Sequence, residues 1–354
     1  MSAFEDHLGK ISADTFKEIL FPQQGYERKE VLVGPSFGVD TSVIALGNGK
    51  AMAVSSDPLT LIPSLGMEAS AWLSVHLTAN DMATTGISPQ YAQFVLNLPP
   101  TLSLEGFKEY WGHIHHQCKT LGVAITGGHT GQVAGQNSTL PGSVTMFLTA
   151  NKREIITSNK ARPGDVILVT KSAALSSTAI LAQCFPKTVQ DKCGVEVYHK
   201  ACENFYRTSS LQDAILAAEI LAPNAELKAM HDVTEGGILG AVYEMAIASQ
   251  CGFTVNSDLI PVDPAVRAVA ELFEIDPLYS IGTGAMIIAI KPGNEMRLIN
   301  HLMANGIDAT VIGEFSKPAN GHKLITKDRE KDFTFSGKDP YWTAFFQAVK
   351  EGLK

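Results

Sequence analysis

A chain of 354 residues, 45% hydrophobic and 18% charged, is long enough for two cores and too ordinary in composition to be disordered or fibrous. A net charge of -8 with no basic run and no interleaving of basic and aromatic residues argues against nucleic acid as a partner. No apolar run reaches bilayer length, residues 1–9 carry acids and no signal core, and the five cysteines form no CxxC; a membrane is not expected, and a cytoplasmic protein with reduced thiols is.

Residues 1–30 read as a helical or irregular lead-in. Strands follow at 43–46 and 51–55, the second stopped by Asp57-Pro58. A helix over 68–85 has Gly86 as its stop and Pro89 beyond. Residues 91–98 read as a strand, 104–121 as a helix stopped by Gly122, and 123–126 as a short strand running into the loop Gly127-Gly128-His129-Thr130-Gly131. Another strand covers 144–150. A boundary is expected near 151–164, giving a first domain over 1–155, a second over 160–330 and a tail over 331–354. In the second domain, helices are expected near 176–185, 197–221, 235–250, 263–273 and 293–305. Strands are expected near 166–170, 252–256, 284–290, 309–313 and 322–326. Ser210 and Asp213 fit a capping box, and residues 342–349 form an amphipathic packing helix.

The polar residues that could carry chemistry stand at element ends, where a scaffold presents side chains to a ligand. Asp40 follows Gly38-Val39, Asp57 ends a strand, and His129-Thr130 follow two glycines. Asn80-Asp81 fall late in a helix, on or next to the face carrying Trp72 and His76; a carboxylate there opposes the helix dipole unless a cation compensates it. Asp40, Asp57 and Asp81 offer hard oxygen ligands of the kind that hold Mg2+ against phosphates, and no Walker loop is present. The stretch His231-Asp232-Val233-Thr234-Glu235-Gly236-Gly237 leads into an apolar helical pattern. Paired glycines at a helix start permit close approach of an anion to free N–H groups.

Taken together, Gly38-Val39-Asp40, Asp57-Pro58, the run from Asn80-Asp81 through Gly86 to Pro89, Thr126-Gly127-Gly128-His129-Thr130, Arg162-Pro163-Gly164-Asp165 and the His231 to Gly237 stretch resemble, in order, the motifs of the aminoimidazole ribonucleotide synthetase superfamily, nearest its hydrogenase-maturation, HypE-like branch. The resemblance covers about residues 30–326. It implies a two-domain α/β, PurM-like fold whose N-terminal sheet pairs across a homodimer, with ATP and Mg2+ in a cleft and phosphoryl transfer to a second substrate. Carried to this chain, it places metal on Asp57 and Asp81. Nucleotide contacts fall on Asp40, Asn80, Thr130, Thr234, Gly236 and Gly237, and catalytic or orienting roles on His231, Asp232 and His129.

Three positions depart from that pattern. His129 stands where relatives carry an aspartate. The last cysteine is Cys251 and the sequence given ends Glu351-Gly352-Leu353-Lys354, so the cyanation chemistry of a terminal cysteine does not carry over. Ser172-Ala173-Ala174-Leu175-Ser176-Ser177 replaces a glycine-rich stretch. The expected activity is Mg-ATP-dependent phosphorylation or activation of a small-molecule or protein-borne substrate. The alternative is a non-catalytic nucleotide-binding or maturation scaffold of the same fold.

Overall fold

The computed structural model describes residues 9–327 and 329–354. Its first half is one six-stranded sheet with two helices. A short α1 (Ala13–Thr15) and a π turn at Phe16–Leu20 lead to β1 (Val31–Val33), β2 (Ser42–Gly47) and β3 (Lys50–Pro58). Then come α2 (Gly66–Ala83), β4 (Tyr91–Leu98), α3 (Leu104–Thr120), β5 (Ala124–Gln132) and β6 (Gly142–Asn151). The strand order is β1-β2-β3-β6-β4-β5. Only β4 and β5 run parallel, because α3 supplies the crossover that a parallel pair requires. Strand alternation turns Ala53, Phe94, Leu96, Met146 and Leu148 inward, against Val75 and Met82 of α2 and Ile114 of α3.

The second half holds β7 (Val166–Thr170), α4 (Leu175–Cys184), α5 (Pro186–Cys193), α6 (Val195–Phe205), α7 (Leu211–Ile220) and β8 (Leu227–Asp232). It continues through α8 (Gly237–Ala248), β9 (Gly252–Asn256), α9 (Pro264–Leu272), β10 (Met286–Ile290), α10 (Glu295–Ala304) and β11 (Ala309–Ser316). The chain closes with β12 (His322–Thr326), β13 (Arg329–Asp332) and α11 (Pro340–Lys350). Its sheet runs β13-β12-β9-β11-β7-β10-β8. β7 and β10 are apolar on both faces because helices cover both: α8 packs on one face through Ile238, Val242 and Met245, and α7 and α10 on the other through Leu216 and Leu298. The two halves meet along α2, which packs against α7 and β8. The Trp72 indole N–H donates to Thr208 Oγ1 at 2.9 Å across that junction. Among the described residues, no helix is long and apolar enough to cross a membrane.

Several expectations change. The loop expected after residue 126 is strand: β5 continues through Gly127, Gly128, His129 and Thr130 to Gln132. The glycines serve the pairing itself, since a Cβ on Gly128 would collide with the Phe94 carbonyl of β4. The single helix expected over 197–221 is α6 and α7, broken at residues 206–210. The Ser210–Asp213 capping box does not form. The Ser210 hydroxyl has no hydrogen-bond partner, and the Asp213 carboxylate instead accepts from Lys171 Nζ at 2.8 Å. The residues leading to His231 form β8, and β13 is a strand that the pattern did not disclose.

Candidate functional site

Alternation along β3 decides what faces α2. Ala51 and Ala53 point inward, so Ser55 does as well, and its hydroxyl donates to Asp81 Oδ2 at 2.7 Å. Asp57 lies two residues on, at the strand end, and Asp81 sits in the last turn of α2. Asp40 arrives on the loop between β1 and β2. Gly38 (φ 76°) sets the path of that loop: a Cβ there would collide with the backbone carbonyl of Glu244 in α8, so only glycine lets the first half lie this close to the second.

From the second half, β8 ends in His231 and Asp232, both buried. Asp40 Oδ1 lies 3.4 Å from His231 Nε2, while Asp40 Oδ2 accepts from the Ser158 hydroxyl at 2.7 Å. His231 Nδ1 lies 2.7 Å from the Asp232 carbonyl, an acceptor that fixes a proton on Nδ1 and turns Nε2 toward the acids. Nε2 is also 3.4 Å from Glu244 Oε2. One ligand atom each from Asp40, His231 and Asp232 fall within 4.8 Å of one another. Both carboxylate oxygens of Asp232 are buried without a hydrogen-bond partner.

Crowded, desolvated acids resist ionisation. Burial pushes Asp57 up to about 6, with the neighbouring Asp40 charge adding to the shift. Burial and the charge of Asp40 push Asp232 up to about 7. Asp81 is raised well above the usual carboxylate range by burial and by Asp57, Asp232 and Asp40. Burial opposes the charge on His231, yet Asp40 and Glu244 outweigh it and raise the imidazole to about 9. Burial likewise opposes ionisation of Glu244, but Lys10 and His231 hold it down at about 2. The cluster therefore carries more carboxylates than cations. The orphaned oxygens of Asp232, with Asp40 and His231 in ligand range of them and the charges of Asp57 and Asp81 close by, fit a divalent ion, which would draw the protons off these groups.

Five residues singled out in the sequence thus converge: Asp40, Asp57, Asp81, His231 and Asp232. Thr234 stands at the rim, accepting from Lys10 Nζ at 3.1 Å. Asn80 does not join them. Its Nδ2 donates to the Thr208 carbonyl at 2.9 Å and its Oδ1 accepts from the Ser210 N–H at 2.8 Å, so its amide is spent tying α2 to the start of α7. Gly236 and Gly237 do make a close approach, but to the chain itself. A Cβ on Gly236 would strike Phe335, one on Gly237 the carbonyls of Leu278 and Ser280, and the Gly236 N–H donates to Asp339 Oδ2 at 2.8 Å. The anion expected at that helix start is a carboxylate of the same chain. His129 and Thr130 are exposed on β5, an edge strand, and no ion pair links His129 to the cluster among the described residues.

Sequence reasoning missed Glu244, Ser55, Ser158 and Lys10. Glu244 left a signal, being the one charged residue in the apolar helix Gly237–Ala248. Ser55 left a weaker one, a hydroxyl at an inward position of β3. Lys10 and Ser158 left none.

Comparison with known proteins agrees with this architecture. Residues 38–149 match the AIR synthase related protein N-terminal domain, and residues 162–322 match its C-terminal domain. A hydrogenase expression/formation protein of Methanocaldococcus jannaschii is 24% identical over 319 residues, covering 88% of this chain and 90% of that protein. Carbamoyl dehydratase HypE of Rhizobium leguminosarum is 25% identical over 283 residues, covering 78% and 76%. A solved hydrogenase maturation protein HypE in complex with ATP superposes with a TM-score of 0.67 at 18% identity, over 94% of this chain and 97% of that one.

Proposed function

The chain belongs to the AIR synthase related family, and from that premise we propose that it binds ATP with Mg2+ at the acidic cluster and uses it to phosphorylate or activate a small-molecule or protein-borne substrate. The observation that carries this reading is the meeting of Asp40 from one half with His231 and the unpartnered Asp232 carboxylate from the other, with Asp57 and Asp81 near enough for their charges to act on the same acids. A largely buried acid cluster short of cations does little for the fold, because well-packed apolar residues of similar volume often serve it as well. The relatives supply the chemistry: one acts as a carbamoyl dehydratase, and another holds ATP in its solved structure.

In this reading Asp57 and Asp81 hold the metal, and Asp40 and Asp232 complete its surroundings. The metal, when bound, neutralises phosphate charge. His231 is held by the Asp232 carbonyl with Nε2 toward Asp40 and Glu244, which suits it to orient a ligand or carry a proton at that nitrogen. Thr234 offers a hydroxyl at the rim. Assays of ADP release with Mg-ATP and a panel of carboxylate, amide, carbamoyl and phosphate-ester acceptors test the proposal. Acceptor-stimulated release supports it, and nucleotide binding with no acceptor giving release identifies a scaffold instead.

A homodimer belongs to the same proposal. The face of the first sheet turned away from α2 and α3 carries Ile44, Met52, Val54, Tyr91, Val95 and Phe147, half-buried or exposed, and Tyr91 stacks on Phe147 at 5.2 Å. An apolar sheet face of this kind is what a second copy would cover. Light scattering that finds only monomers at micromolar concentration would count against it.

A further inference from the structure

The charge balance of the acidic cluster depends on a residue outside both matched domains. Gly9 and Lys10 cross the rim of the site. The Lys10 backbone N–H donates to Glu235 Oε2 at 2.5 Å, and its ammonium lies 3.0 Å from Glu244 Oε2 and donates to Thr234 Oγ1. Partial burial opposes the charge of this ammonium, but Glu244, Asp40 and Asp232 together hold it protonated. Among the described residues no other lysine or arginine forms an ion pair with this cluster; His231 is the remaining cation.

An ammonium has three donors and no acceptor, so it can satisfy carboxylates in the place of a metal ion. It is also tethered loosely. Half of the Lys10 side chain is exposed, α1 buries no residue, and Ile19, Leu20, Phe21 and Tyr26 further along the segment all face solvent. A segment with so little buried apolar surface opens at small cost. We propose that Lys10 is a tethered cation that occupies the acidic cluster in competition with divalent metal, so that metal entry displaces the strap formed by residues 9–20. The inference rests on reading the cluster as a divalent-ion site. It adds that the acids are partly compensated at rest by Lys10 and that ion binding is coupled to release of the N-terminal strap.

The test uses the full chain with Mn2+ alone. Lys10→Met and Lys10→Gln remove the charge, and Lys10→Arg keeps it. Calorimetry is expected to show Mn2+ binding about tenfold tighter in both neutral variants, as loss of a nearby positive charge requires, and wild-type affinity in Lys10→Arg. In the wild type, Mn2+ is expected to speed tryptic cleavage after Lys17. Unchanged or weaker Mn2+ binding in the neutral variants, with melting curves like wild type, overturns the inference, as does cleavage after Lys17 that ignores Mn2+. If Lys10 instead served only as a phosphate contact, its neutral variants would lose affinity for an ATP analogue and leave Mn2+ alone unaffected, which also overturns it. Wild type that binds the Mg-ATP analogue while the Lys10 variants behave alike sinks the Lys10 inference alone. Wild type that binds neither ion nor analogue sinks the reading of the cluster itself.

Discussion

Two stretches of this chain look alike in sequence. Gly127-Gly128-His129-Thr130 and the run from His231 to Gly237 each combine paired glycines, a histidine and a threonine beside a strand. Folding separates them. In the first, the glycines are consumed by strand pairing and His129 stands in solvent on an edge strand. In the second, the histidine is buried, and two distant segments, bearing Asp40 and Asp81, converge with Glu244 of the following helix on it and on Asp232. What makes a site is the convergence of more carboxylates than cations around Asp232, whose own oxygens have no hydrogen-bond partner. A local motif does not report that.

The largest expected effect tests that convergence. Asp81→Asn and Asp232→Asn each keep the shape of the side chain and remove a charge that burial already disfavours. The fold should persist or gain stability in the absence of ions, while ion-dependent nucleotide binding falls below detection by calorimetry. Unchanged Mg-ATP affinity in either variant would erase the distinction between the two stretches.

Next in size is Asn80, the immediate neighbour of Asp81 in sequence and its opposite in role. Asn80→Ala strands a buried carbonyl at Thr208 and a buried N–H at Ser210, costing roughly 2–4 kcal/mol by the usual penalty for unmade buried hydrogen bonds. Denaturant titration reads that loss directly. Ion affinity of the folded fraction should match wild type, and a selective loss of ion binding without destabilisation would move Asn80 into the site.

A smaller effect follows pH. Asp57 and Asp232 rise from 3.8 to about 6 and about 7. A carboxylate with a raised pKa keeps its proton in the folded chain where the unfolded chain has lost it, so these groups reduce stability progressively as pH climbs from 3.8 to about 7. His231, raised from 6.5 to about 9, acts in the same direction: its contribution is complete below 6.5 and is lost as pH rises through 9. Glu244, lowered from 4.5 to about 2, contributes fully above 4.5 and stays flat over that window. The melting temperature of the ion-free protein should carry a declining component from this cluster. Asp232→Asn should flatten the fall, and Mg2+ should stabilise more at pH 8 than at pH 5. The opposite slope in the difference between wild type and Asp232→Asn would contradict the charge excess.

Much of this was legible in the residues themselves. The strands expected over 91–98 and 252–256 match β4 and β9 to the residue, and terminal glycines placed the ends of α2 and α3 closely. Asp40, Asp57, Asp81 and the His231-Asp232 pair were visible as acids and imidazole at element ends. The rest was hidden for physical reasons. Whether Gly236 and Gly237 approach a ligand or Phe335 and Leu278 depends on a loop about forty residues downstream and a tail about a hundred residues downstream. Whether Asn80 faces a nucleotide or Thr208 depends on a helix break that apolar periodicity over 197–221 conceals. Lys10 carries no local pattern, and its place is set by Glu235 and Glu244, more than two hundred residues away.

The smallest expected effect belongs to His129. Its side chain is exposed on β5, the edge strand beside β4, and its backbone lies opposite Val95 in the ladder. His129→Ala should therefore leave Mn2+ affinity unchanged within about twofold and stability within about 0.5 kcal/mol, as for other surface substitutions away from special features. His129→Asp, which restores the acid expected from the family pattern, should likewise leave ion binding by the monomer unaltered, since His129 is exposed and no ion pair among the described residues links it to the cluster. The informative condition is protein concentration. An edge strand can reach a ligand held by a second copy, so any gain in ion occupancy from His129→Asp should appear only where light scattering shows dimers. A gain of tenfold in a strictly monomeric sample would place His129 inside the same site as His231, and the contrast between the two glycine-bearing stretches would fall with it.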